Sequence, residues 1–118
     1  MTRTRILRAA AGVAGVALAA ACSQGSGTAP LSPLAAEGKQ VYSANCTACH
    51  NADPAQPGAL GPPLAGSAEA LLAAKVLRNE YPPGYTPKRQ THAMIPLPQL
   101  EPKIPALAAY LATVAPAP

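Results

Sequence analysis

Residues 46–50 read Cys46-Thr47-Ala48-Cys49-His50. The C-x-x-C-H spacing is the attachment sequence of c-type haem. Two thiols three positions apart on one helical turn lie beside the two vinyl groups of an edge-on porphyrin, and each forms a thioether. The next side chain, His50, is then aimed at the iron. Other chemistries use parts of this pattern. A redox-active thiol pair needs a βαβ setting, and no alternating strand pattern surrounds residue 46. A zinc site would recruit Cys46, Cys49, His50 and His92, yet adjacent Cys and His suit one tetrahedral ion badly and no second compact pair exists. A disulfide between Cys46 and Cys49 would close a small, strained loop.

Working outward, the residues read as helices joined by proline-rich loops. Leu34 to His50 is predicted helical, because Ala35, Ala36, Glu37, Lys39 and Gln40 are good helix formers. Gly38 within it costs about 1 kcal/mol relative to alanine, which points to close backbone approach, with simple tolerance as the alternative. Asn51 to Gly66 holds four Pro and three Gly and reads as loop. Ser67 is a suitable N-cap for a helix over Ala68 to Arg78, with Leu71, Leu72, Lys75 and Val76 along its stripe. Asn79 to Leu100 carries five prolines and is too broken for a helix. In the last segment Pro102 suits the first helical position. Ile104, Leu107, Ala108, Leu111 and Val114 or Ala115 follow helical spacing, and Pro105 must fall in the first turn.

Four segments in order along the chain make residues 36–114 resemble the small monohaem cytochromes c. Gly38-x-x-x-Tyr42 resembles that family's N-terminal helix, crossed closely by the C-terminal one, and Leu107-Ala108-Ala109-Tyr110-Leu111 resembles the face that crosses it. Gly61-Pro62-Pro63-Leu64 resembles the segment whose proline carbonyl accepts a hydrogen bond from the haem histidine. Met94-Ile95-Pro96 resembles the distal-ligand loop, with one residue inserted. The resemblance implies an all-α cytochrome c fold, with three main helices and proline-rich loops around one covalently bound haem c. It also implies Cys46 and Cys49 as attachments, His50 as proximal ligand, Pro62 as its hydrogen-bond partner and Met94 as distal ligand. Met94 is the only methionine besides the initiator. His/Met ligation fills both axial positions, which suits single-electron transfer rather than an enzyme. A peroxidase or gas-binding protein with an open distal site, and a fixed haem subunit of a larger oxidoreductase, stay open as alternatives. So do the roles of Tyr81 and Tyr85, as propionate or Met94 partners or as packing, and of Lys88 and Arg89 as propionate partners or surface. His92, two residues from Met94, points the same way in an extended stretch and is a candidate replacement ligand.

The rest of the chain is an address. Arg3, Arg5 and Arg8 precede an apolar run of 13 residues, Ala9 to Ala21, too short to span a bilayer. With Leu18-Ala19-Ala20-Ala21-Cys22 at the cleavage position, residues 1–21 read as a secretory signal peptide resembling those of bacterial lipoproteins, with Cys22 lipidated. Residues 22–35 then form a Gly/Ser/Pro-rich tether; twelve such residues reach about 20 Å. Residues 115–118 are a tail. Setting the leader aside lowers the formal charge from +4 to +1, so the basic pI gives no reason to expect nucleic acid. The expected setting is lipid-anchored at a bacterial membrane, facing the periplasm or outer side, with redox proteins at that membrane as partners. One small domain is expected from 118 residues with 15 Pro, four Tyr and neither Phe nor Trp.

Overall fold

A computed structural model describes residues 29–118; the leader, Cys22 and most of the tether lie outside the described residues. The described chain is all-α: α1 (Pro33–Asn45), α2 (Glu69–Arg78) and α3 (Ile104–Ala112), with a 3-10 segment, Pro98–Lys103, running into α3. None of these helices is long and apolar enough to cross a membrane.

Helix α1 begins inside the stretch assigned to the tether. Ser32 accepts a hydrogen bond from the Ala35 N–H at 3.1 Å, and Pro33 takes the first position, where its missing N–H goes unneeded. Ala35 is buried and Leu31 packs against the core, so the folded part starts a few residues before Ala36. The helix also stops earlier than composition predicts. It ends at Asn45, and Cys46 to Cys49 form turns in which the Cys49 and His50 N–H groups both bond to the Cys46 carbonyl. β-branched Thr47 is a poorer helix former than the alanines upstream. Its hydroxyl donates back to the Ser43 carbonyl, a local bond that competes with regular helix.

Ser67 does not cap α2. The N-cap is Ala68, with no side-chain hydrogen bond, and Ser67 is buried in the wall of a cavity. At the other end Asn79 adopts left-handed φ of 55° and its N–H returns to the last turn, a conformation Asn tolerates better than most residues. Nor does Pro102 open the last helix. Pro98 and Pro102 both lie in the 3-10 segment, and Pro105 sits in the first turn of α3.

The core is the seam where α1 crosses α3. Tyr42, Leu107 and Leu111 are 1%, 2% and 0% exposed. The Tyr42 and Tyr110 rings lie 5.6 Å apart at 57°, a tilted aromatic pairing. Gly38 makes the crossing possible: a Cβ there would overlap the Ala106 carbonyl oxygen and lie 2.9 Å from Tyr110 Cβ. Outside the seam, Lys103 pairs with Glu37 at 2.5 Å. Both partners are exposed enough that the pair adds little. Helix α2 closes the third side, and the Leu97 N–H bonds to the Val76 carbonyl at 2.7 Å, tying the long Asn79–Leu97 loop to it.

Candidate functional site

Between the Cys46–His50 turn, α2 and the long loop lies an apolar cavity of about 290 Å³. Cys46, Cys49 and His50 line one part of it. Leu71, Leu72 and Val76 of α2 form a wall, Gly61, Pro62 and Leu64 another, and Met94, Ile95 and Leu97 approach from the loop. The structure thus brings Cys46, Cys49, His50, Pro62 and Met94, spread over 49 positions of sequence, around one space.

His50 is the most constrained of them. Its Nδ1 lies 2.9 Å from the Pro62 carbonyl oxygen. A carbonyl only accepts, so Nδ1 carries the proton and Nε2 keeps its lone pair. Burial holds the imidazole below its usual pKa, and the charge of Arg89 adds to this; the Pro62 bond works the other way. The ring is therefore neutral at neutral pH, as a metal ligand must be. Gly61 passes flat against it: a Cβ there would overlap Nδ1 and Cε1 of His50 and lie 2.8 Å from Cγ. Gly58 makes a similar approach, where a Cβ would fall 2.6 Å from the His50 carbonyl carbon. The Gly61 and Leu60 N–H groups both bond to the Cys49 carbonyl, which folds the loop back onto the motif. The neighbouring Pro63 carbonyl accepts from Lys88 Nζ at 3.0 Å.

Cys46 and Cys49 are free thiols, each half-buried. Burial, with Cys49 beside it, pushes the Cys46 thiol up to about 11. It stays protonated at neutral pH and is a poor thiolate for exchange. The described residues contain no strand to build a βαβ unit and no cluster of three or more His, Cys, Asp or Glu suited to a metal ion. His92 is exposed and outside the cavity lining; only its backbone carbonyl is engaged, by Asn79 Nδ2 at 3.4 Å. Thr91 and Ala93 line the cavity in its place. The i, i+2 expectation for His92 and Met94 assumes a straight strand, whereas Ala93, Met94 and Ile95 line the cavity in succession and the loop does not alternate there.

These features fit a covalently held porphyrin: apolar walls, two free thiols at the mouth, and a neutral imidazole with one nitrogen tied down and the other bare. Tyr81 and Tyr85 also line the cavity and stack on each other, with centroids 5.4 Å apart and an 11° interplanar angle. Arg89 lies at the cavity with no acidic partner among the described residues. One contributor was not read as such from sequence. Lys75 stands on the α2 stripe, three residues after Leu72 and four after Leu71, and so faces the cavity with them. Its spacing was the available signal, but a charged residue on an apolar stripe reads as packing by its stem.

A family model described as Cytochrome c matches residues 35–115. No curated protein and no solved structure matches the chain.

Proposed function

The chain belongs to the cytochrome c family, and from that premise we propose that it is a membrane-tethered single-electron carrier whose haem is held by His50 and Met94. Membership gives the coarser part: the domain carries covalently attached haem c and serves haem-based electron transfer. The bound group supplies a reversible one-electron couple. The finer assignments are ours.

The observation that carries the proposal is the tethered His50. With Nδ1–H donating to Pro62, the imidazole cannot rotate freely, its basicity rises, and Nε2 is the nitrogen left to ligate. Cys46 and Cys49 hold the porphyrin edge. Met94, half-buried against the core and lining the same cavity, offers a thioether as second axial ligand. The walls of Leu71, Leu72, Val76 and Leu97 keep water from the centre, which limits the solvent rearrangement accompanying a change of charge. Arg89 and Lys88 are the cations placed to meet propionates. Cys46 and Cys49, both half-buried, would leave the side of the group they hold accessible to a redox partner.

The setting follows from the leader. A lipid on Cys22 and a tether that, with folding from Leu31 onward, reaches about 15 Å keep the domain near membrane complexes of a respiratory or related chain, where effective concentration is high. Exported haem attachment requires the same route out of the cytoplasm.

The test is an optical spectrum of purified protein, oxidised and reduced, before and after denaturation, for wild type and Met94→Ala. Haem that stays on the chain after denaturation, with a Met–iron absorption band lost in Met94→Ala, is the expected result. A band unchanged in Met94→Ala, or a wild type that binds cyanide readily, refutes His/Met ligation and favours an open distal site. One feature favours a second reading, a fixed haem subunit: Leu60 and Ile95 at the cavity mouth are 54% and 77% exposed. Co-purification of the full-length protein with a large membrane oxidoreductase supports that reading; a freely exchanging monomer supports the shuttle.

A further inference from the structure

Lys75 is a charged side chain in an otherwise apolar wall, and the surrounding residues hold it there. Its Nζ donates to Asn79 Oδ1 at 2.6 Å and sits 4.1 Å from the centroid of the Tyr81 ring, over its face. Tyr81 is itself braced by stacking on Tyr85. Asn79 is fixed at both ends: its left-handed backbone caps α2, and its Nδ2 donates to the His92 carbonyl, two residues from Met94. No carboxylate pairs with Lys75 among the described residues, whose ion pairs are Arg78–Glu80 and Lys103–Glu37. The ammonium is thus an uncompensated positive charge, half-buried, at the wall that also presents Leu72 and Val76.

From this geometry we propose that Lys75, held by Asn79 and Tyr81, is a tuning residue that raises the reduction potential of the haem site. The inference rests on the electron-carrier reading above. Reduction removes one unit of positive charge from the cavity, as one electron arrives from a donor protein and none leaves. A fixed cation nearby repels the more positive, oxidised state and leaves the reduced state relatively favoured. The effect is strong where water is excluded and weak where it is not. Lys88 is exposed on the long loop, where solvent and salt screen its charge. Arg89 acts near His50, where its charge lowers the imidazole pKa. Lys75 is therefore the cation that belongs to the α2 wall.

The experiment is spectroelectrochemical titration of the full-length protein, matured with its haem, at low and high ionic strength. Wild type is compared with Lys75→Met, Lys75→Arg and Asn79→Asp. Each sample is checked for haem retained on denaturation. Lys75→Met removes the charge at similar length, and Lys75→Arg keeps it. Asn79→Asp keeps a residue that tolerates the left-handed conformation but sets a carboxylate against the ammonium. At the wild-type midpoint, where reduced and oxidised protein are equal, Lys75→Met and Asn79→Asp are expected to hold a reduced-to-oxidised ratio at least threefold lower. Tenfold corresponds to 59 mV for a one-electron couple. Lys75→Arg stays within twofold, and the shifts persist at high salt. Equal shifts in Lys75→Met and Lys75→Arg mark a merely structural role and overturn the proposal. So do midpoints of Lys75→Met and Asn79→Asp within twofold of wild type, or shifts abolished by salt. Wild type without retained haem overturns the electron-carrier reading itself, and the tuning role falls with it.

Discussion

Replacing Gly38 by alanine tests the seam on which the fold depends. An added Cβ would overlap the Ala106 carbonyl oxygen, stand 2.5 Å from its carbon and 2.9 Å from Tyr110 Cβ. Ordinary contact begins near 3.4 Å and the Ala106 oxygen would lie far inside that limit, so α3 must retreat from α1 by about 1.5 Å. A gap of that size forfeits at least half of each dispersion contact it opens. The contacts concerned include Tyr42, Leu107 and Leu111, the largest fully buried side chains described. Overpacking of this kind costs about 1–3 kcal/mol. Alanine returns about 1 kcal/mol in helix propensity, and the opened seam removes more than that. The expected net loss is about 1–2 kcal/mol, or roughly 4–16 °C in Tm for a domain of this size. Thermal unfolding followed by far-UV circular dichroism on haem-loaded protein measures it. Ser43→Ala, on the exposed face of the same helix, is the control and should change stability by less than about 0.5 kcal/mol. A Gly38→Ala protein melting at or above wild type would mean that the helices do not meet backbone to backbone at this glycine.

Three further outcomes follow from the same contacts. Gly61→Ala drives a methyl group into the His50 ring, breaking the 2.9 Å bond to Pro62; the fraction of purified chain carrying covalent haem should fall several-fold, and an unchanged yield and spectrum would refute the packing. Burial, aided by Tyr110 and Asp53 nearby, pushes the Tyr42 phenol well above its usual value of about 10. The unfolded chain then loses this proton first, so the stabilisation is complete below about pH 10 and is lost as pH rises through the raised folded value. Tyr42→Phe should flatten that slope in denaturant titrations between pH 9 and 12, at a cost near neutrality of about 1 kcal/mol for the bond to the Asn51 carbonyl; an unaltered slope sinks the assignment. Finally, the Cys46→Ala/Cys49→Ala protein, lacking its staple, should be largely unfolded, because fewer than a hundred residues without Phe or Trp make a marginal core. Calorimetry showing a transition as sharp as the haem-loaded protein's would contradict this.

The five residues from Cys46 to His50 determine most of what is legible in one dimension. Their spacing names the cofactor because thioether attachment needs two thiols and a histidine within one turn, a local requirement that local sequence can meet. The helix-forming stretches, the proline-rich loops and the close approach at Gly38 are likewise written in composition and periodicity. Helix ends are less so: Ser67 looks like a cap, but its place in the cavity wall outweighs local preference, and the Cys46–Cys49 turns replace a continued helix where the chain folds back on the Cys49 carbonyl. Only the tertiary structure decides the surroundings of the site. It sets the Pro62 carbonyl against His50, aims Met94 inward while His92 faces out, and fixes Lys75 between Asn79 and Tyr81. The His50–Pro62 and Met94 relations join residues far apart in the chain, and the contact of Lys75 with Tyr81 depends on which way a proline-bent loop turns as it leaves α2. A pattern of residue types carries periodicity and spacing, but the direction of a side chain across a cavity is set by the sum of contacts around it.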